Sequence, residues 1–394
     1  MKKLRVLFIG DGAAPTGFST VMHGIIENLP QKIFDVHHLA INYRGDPHDY
    51  TWKLYPASLL NTNDFLGLER LKHQFSKIDD GWDGIFILND LWVINMYLKV
   101  IKESFTKIPP IVIYFPVDST SYDKEWVENF DIVKKVVVYT RFGFDVLSEV
   151  YDGDNVSIIP HGINTNIFKK LSDSRETIRL NIFPNTGDFT NAFIVLSANR
   201  NQPRKRLDIT MKAFSIFAKN KKDVKLYLHC GIKDAGYDII KLATKLNIQD
   251  KLIITSNSRG IQNIPPNKLN VIYNACNVGI NSSIGEGWSL TNMEHAVTGA
   301  PQVVPNHSAL TELYEDCGIL VPTKYDFTNI DTLTEGKVVT PEDMATGLEM
   351  LYEDKNLYAE LSTKSINKFS NEKYSWEYIV KNNWMPIFED AYEI

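Results

Sequence analysis

Short apolar runs alternate with helically spaced stretches along the whole chain. Residues 6–9 form the first run. From Ser19 to Leu29 the apolar positions Val21, Ile25, Ile26 and Leu29 return at helix spacing, and a second run follows at 36–41. Further runs stand at 84–88, 111–115, 136–139 and 156–159. Runs that are apolar on both faces predict buried strands, and their alternation with helices predicts a parallel sheet covered on both sides. Pro160-His161-Gly162 then breaks the pattern, and the polar stretch 164–188 reads as an interdomain linker.

The alternation restarts after that stretch. Strands are expected at 192–198, 224–229, 252–255, 278–281, 302–304 and 319–321, with helices at 206–219, 237–246, 269–274 and 290–298; Gly299 and Pro301 end the last of these. Two successive βαβ series predict an α/β protein of two Rossmann-like, doubly wound parallel-sheet domains facing across a cleft, with the ligand at the carboxyl ends of the strands. The expected boundaries are 1–165 for the first domain and 186–373 for the second. The tail carries Trp376, Tyr378, Trp384 and Phe388, more apolar surface than the second domain needs, so 374–394 is expected to return and complete the first.

Composition narrows the class. A chain of 394 residues exceeds one hydrophobic core, and 44% hydrophobic with 23% charged residues is ordinary for a globular enzyme. The net charge of -6 argues against nucleic acid as a partner. Cys230, Cys276 and Cys317 are far apart and form no C-x-x-C pair, so they read as reduced, buried thiols. After Met1-Lys2-Lys3 the apolar run is too short for a signal sequence and reads as a buried strand. No apolar stretch approaches the roughly 20 residues of a spanning helix. A cytoplasmic protein with at most peripheral membrane contact is expected; nothing in the pattern sets an oligomeric state.

Three loops carry candidate chemistry. Residues 282–294 read S-S-I-G-E-G-W-S-L-T-N-M-E, after a strand and into a helix. Gly285 and Gly287 would let the backbone approach a ligand, the first helical amides would suit a diphosphate, and Glu286 and Glu294 would suit hydroxyls. Thr291 and Glu294 also fit a capping box that merely closes the helix. Residues 199–206 place Arg200, Arg204, Lys205 and Arg206 at a strand end, which suits phosphate oxygens or is a solvated basic loop. Residues 10–17 form a glycine-rich loop after the first strand. It fails the dinucleotide fingerprint, because the third glycine is displaced and Asn42 and Tyr43 stand where an acid is required. Asp152-Gly153-Asp154 is a D-x-D in the wrong context for a metal and fits a turn, so no metal site is expected.

Glu286 and Glu294 in the frame S-x-x-x-E-G-W-S-L-x-x-x-E, with Arg200 and Lys205, resemble the retaining family-4 glycosyltransferases of the GT-B fold. Gly12 to Gly17 resembles the family's first-domain glycine loop, I-P-H-G-I-N-x-x-x-F from Ile159 to Phe168 its hinge motif, and Ser375-Trp376 the start of its returning helix. The phrases N-R-N-Q-P-R-K-R-L-D and Y-N-A-C-N-V look closest to a subgroup found in large algal viruses.

The resemblance implies that Arg200 and Lys205 neutralise a donor diphosphate, that Glu294 holds ribose hydroxyls and that Glu286 contacts the donor sugar. The backbone of Gly287, Trp288, Ser289 and Leu290 would support phosphate and sugar, and Gly17 and Ser256 would line the nucleotide-sugar site, with the base beside residues 256–260. The partners implied are a nucleotide sugar, leaning to a GDP donor such as GDP-mannose, and a glycan or other hydroxyl acceptor at residues 45–63 and 118–125, with no cofactor or metal. The alternatives are a UDP-sugar donor, a non-catalytic nucleotide-binding protein and a dinucleotide oxidoreductase. The chain departs from the family pattern in three places. Asp118 is present without its usual histidine, Trp288 and Ser289 replace Phe and Gly, and Asn306-His307-Ser308 stands where two glycines are common.

Overall fold

The computed structural model of the chain describes residues 2–58, 63–78, 81–183, 189–255, 259–260 and 262–394. The chain divides into two units. The first comprises Met1–Val117, Ser121–Gly162 and Lys373–Ile394; the second comprises Asp118–Thr120 and Ile163–Glu372.

The first unit is built on β1 (Leu4–Asp11), β2 (Phe34–Ile41), β3 (Lys53–Pro56), β4 (Gly84–Leu88), β5 (Ile111–Phe115), β6 (Lys135–Val138) and β7 (Val156–Ile158). They pair in parallel in the order β3-β2-β1-β4-β5-β6-β7. Every residue of β4 and β5 is buried, as expected for strands with apolar residues on both faces. The returning C-terminal segment belongs to this unit. Trp376 occupies the space that side chains at Gly24 and Gly162 would fill, with added Cβ atoms 2.3 and 2.6 Å from its ring. Trp384, fully buried, sits edge-on to Tyr114 and Phe86, and the Tyr392 hydroxyl donates to the Ile85 carbonyl. The segment passes through a π-helical turn, Val380–Trp384, just before Pro386, a residue with no amide hydrogen to donate.

The second unit is built on β8 (Phe193–Ser197), β9 (Val224–Leu228), β10 (Leu252–Ile254), β11 (Val278–Ile280), β12 (Gln302–Pro305) and β13 (Gly318–Val321), parallel in the order β10-β9-β8-β11-β12-β13. An antiparallel hairpin, β14 (Tyr325–Thr328) and β15 (Glu335–Val338), follows, and Glu335 bridges to Thr120. The strand order of this sheet reverses between β8 and β11, the switch point at which doubly wound sheets bind ligands.

One expectation changes. The stretch 164–188, read as a linker, contains the helix Arg175–Ile182 within the second unit. Its anchor is a buried arginine. The Arg179 guanidinium donates to the carbonyls of Ala275, Thr190 and Ala192 and to Asn277 Oδ1, so a residue that reads as solvated lies in the interior.

Candidate active site

The loop 198–206 leaves β8 and the loop 281–289 leaves its neighbour β11, so strand order alone brings two distant segments together. They are stitched by the Ile284 N–H donating to the Arg204 carbonyl at 3.0 Å and the Ser282 hydroxyl donating to the Arg206 carbonyl at 2.8 Å. Pro203 starts a single 3-10 turn, Pro203–Lys205, that aims Lys205 inward. The Lys205 ammonium then meets the Glu286 carboxylate at 2.5 and 2.7 Å, both side chains buried. Glu286 Oε1 also accepts from Asn281 Nδ2 at 3.0 Å and Ser283 Oγ at 2.7 Å, and the Glu286 N–H donates to Ser308 Oγ at 3.0 Å.

The electrostatics follow from this enclosure. Burial would raise the Glu286 pKa, but Lys205, then Arg204, and the hydrogen bonds from Asn281 and Lys205 outweigh it and hold it at about 2. Burial and the nearby Arg204 push Lys205 down to about 8, against the pull of Glu286. Both groups are charged at neutral pH. Glu294 is different. It is buried on the helix Leu290–Ala296, its Oε2 accepts from the Tyr273 hydroxyl at 3.1 Å, and burial pushes it up to about 8. The capping-box alternative does not form: the cap is Ser289, without a side-chain cap bond, and Thr291 lies inside the helix.

The basic loop divides by partner. Arg200, 43% exposed, pairs with Asp234, its Nε 2.8 Å from Oδ2. Arg206 pairs with Asp208 through two bonds of 2.9 and 3.0 Å, a local structural contact. Arg204, part of the basic loop but given no role by the resemblance, donates to the Gly285 carbonyl at 3.2 Å and lies 3.5 Å from Asp118 and 3.7 Å from Glu286. Asp118 therefore gathers with Arg204 and Glu286 in the second unit. A Cβ on Gly285 would stand 1.8 Å from the Asp118 carbonyl. The space at Gly285, expected for a ligand, holds the protein's own backbone.

The other expected residues fall as follows. The Trp288 indole N–H donates to Met293 Sδ at 3.2 Å. Ser289 adopts φ 78, the left-handed region that favours glycine, with its hydroxyl bonded to Asn292 Oδ1 at 2.6 Å. Gly287 precedes this turn, and Leu290 opens the helix. Gly17 opens the helix Gly17–Asn28 in the first unit, behind its cap Thr16, whose Oγ1 accepts from the Ser19 N–H at 3.1 Å. Ser256 lies outside the described residues. The three cysteines are free and buried. Among the described residues no three His, Cys, Asp or Glu side chains cluster as a metal site requires, and no helix is long and apolar enough to cross a membrane. Sequence reasoning missed Asn281, Ser283 and Ser308 around Glu286. Their signal was slight: a polar N-S-S directly after a strand, and a serine in the segment where glycines are usual.

Residues 179–368, within the second unit, match the family of glycosyl transferases group 1. The chain is also 26% identical over 245 residues to the alpha-monoglucosyldiacylglycerol synthase of Streptococcus pneumoniae (strain ATCC BAA-255 / R6). That alignment covers 61% of the chain and 51% of the relative, about half its length. The crystal structure of Anabaena HepE with UDP and glucose superposes with a TM-score of 0.71 at 13% identity, over 98% of this chain and 99% of that one. Sucrose-phosphate synthase from Thermosynechococcus elongatus gives 0.75 at 16% identity, over 98% and 99%. Two parallel-sheet α/β units with these neighbours define the GT-B type of fold.

Proposed function

We propose that the protein is a retaining, metal-independent hexosyltransferase of the family-4 type, moving a sugar from a nucleotide donor to a glycan or other hydroxyl acceptor. The observation that carries this reading is the buried Lys205–Glu286 pair at the switch point of the second sheet, in the unit matched to the group 1 glycosyl transferases. The acceptor oxygen forms a bond to the anomeric carbon as the bond from that carbon to the diphosphate breaks, and the acceptor's proton passes to the departing diphosphate. Charge builds on the diphosphate and on the sugar ring. In this reading Lys205 and Arg200 answer the first and Glu286 the second. The amides of Gly287 to Leu290 support the diphosphate. Glu294 holds the ribose hydroxyls.

Resemblance to the algal-virus subgroup favours a GDP donor such as GDP-mannose. A UDP donor is the second reading, favoured by the UDP bound to HepE. The test incubates purified protein with GDP-mannose, UDP-glucose and UDP-GlcNAc over a panel of hydroxyl acceptors, with and without chelator. Nucleoside diphosphate release with retained anomeric configuration, unchanged by chelator, is expected. An inverted product, or activity restored only by a divalent ion, overturns the corresponding part; no turnover of any donor overturns the whole.

A further inference from the structure

Asn281 is wholly buried immediately after β11. Its side-chain oxygen accepts from the Ser283 N–H at 2.8 Å, which fixes the direction of the amide. Its Nδ2 then donates toward Glu286 Oε1 at 3.0 Å and Asn292 Oδ1 at 2.9 Å, with Ser289 Oγ at 3.3 Å. Asn292 Nδ2 continues to Gln302 Oε1 at 2.8 Å, and Gln302 Nε2 ends on the Ala300 carbonyl at 2.7 Å. This chain of side-chain amides is anchored to backbone at both ends, and it ties Glu286 to the left-handed turn at Ser289.

Glu286 Oε1 has three donors: Lys205, Asn281 and Ser283. Lys205 reaches in from the loop after β8, and in the proposed reaction its charge is shared with a diphosphate. Asn281 and Ser283 belong to Glu286's own loop, and of these Asn281 alone is fixed by a second backbone contact and a further amide. We infer that Asn281 is a positioning residue: it holds the Glu286 carboxylate in place independently of Lys205 and sets the Ser289 turn through Asn292. Linked buried amides held at both ends by backbone keep their orientation in this way, whereas one hydroxyl donor can rotate. The catalytic part of this inference rests on the transferase reading; the structural part does not.

Two measurements test it. Asn281→Asp keeps the shape and the bond from Ser283 but sets an acceptor against the carboxylate. On the donor that the wild type turns over, kcat should fall about 100-fold, the scale of a misplaced reacting group. Affinity for UDP and GDP should fall by less than kcat does, because the Ser289 turn is loosened while Lys205 and Arg200 stay in place. Activity should recover as pH falls and the new carboxyl gains a proton to donate. A pH profile parallel to the wild type's, with the loss confined to melting temperature, overturns the inference. The second measurement needs no activity: Asn281→Leu and Glu286→Gln are combined and melting is compared. The two changes should be strongly non-additive; additive effects overturn the inference even if the protein is a transferase. A wild type that turns over no donor, with coupling intact, refutes the transferase reading alone.

Discussion

The loop after β1 and the loop after β11 look alike on paper. Each leaves the carboxyl end of a central strand, carries glycines and hydroxyls, and runs into a helix. In the first, the glycines make room for the protein itself. A Cβ on Gly10 would meet Met22 at 2.6 Å, and one on Gly12 would meet Ala40 Cβ at 2.5 Å. Its polar groups close on each other: Thr16 and Asn42 donate to Asp11, and Ser19 donates to the Gly12 carbonyl. The second loop has one such glycine, Gly285, but it encloses a charged pair and a carboxyl whose pKa values are driven to opposite sides of the ordinary range. Glycine content therefore does not separate a packing loop from a chemical one. Buried charge does.

The contrast can be broken at the ion pair. Lys205→Ala leaves a buried carboxylate without its cation and should destabilise by about 3–5 kcal/mol, with loss of nucleoside diphosphate affinity. Denaturant melts and calorimetry on the folded fraction check both; a small loss of stability would mean that water or Arg204 replaces the lysine. Next comes the Glu294 carboxyl. Its pKa rises from 4.5 to about 8 on folding, so the folded chain keeps a proton that the unfolded chain loses. Its contribution is complete below 4.5 and is lost as pH climbs through about 8. Stability should fall by a few kcal/mol across that window, because each tenfold difference in proton affinity is worth about 1.4 kcal/mol, and Glu294→Gln should abolish the slope. Glu286 acts in the opposite sense, its contribution lost as pH falls toward about 2. Parallel wild-type and Glu294→Gln slopes would refute the assignment.

Smaller effects sharpen the comparison. Gly12→Ala should cost about 1–3 kcal/mol by overpacking against Ala40, with nucleotide affinity per folded molecule unchanged. A changed affinity would make the first loop a nucleotide contact. Arg200→Ala should barely move the melting temperature, because an exposed pair with Asp234 is worth about 0–1 kcal/mol. Under the proposed function it should still weaken diphosphate binding by about 1.5–3 kcal/mol. Unchanged affinity would leave Lys205 as the diphosphate's partner without Arg200.

Strands whose every position is apolar, such as β4 and β5, were legible in the sequence because burial on both faces leaves no polar position to confuse the period. The loops that end β8 and β11 were legible from their charges and glycines. Other features were not. β3 is a four-residue edge strand, K-L-Y-P, and β14 reads Y-D-F-T with all residues exposed, so neither carries a buried pattern. The helix Arg175–Ile182 hides its anchor, since an arginine satisfied by carbonyls looks like a solvated one. The meeting of Lys205 and Glu286, 81 residues apart, depends on β8 lying beside β11, which no local pattern encodes. Asn281 went unnoticed for the same reason: its worth lies in what surrounds it.

The first unit is closed by a segment that follows the whole of Ile163–Glu372 along the chain. While a ribosome is still translating the second unit, Gly24 and Gly162 face no indole and the slot for Trp384 beside Tyr114 and Phe86 stands open. At about 5–20 residues per second that interval lasts on the order of tens of seconds. The long stretch Ile163–Glu372 is translated between the two parts of the first unit, which waits all that time for Trp376. A nascent chain that has not yet reached Trp376 and Trp384 therefore leaves apolar surface of the first unit without the indoles that cover it.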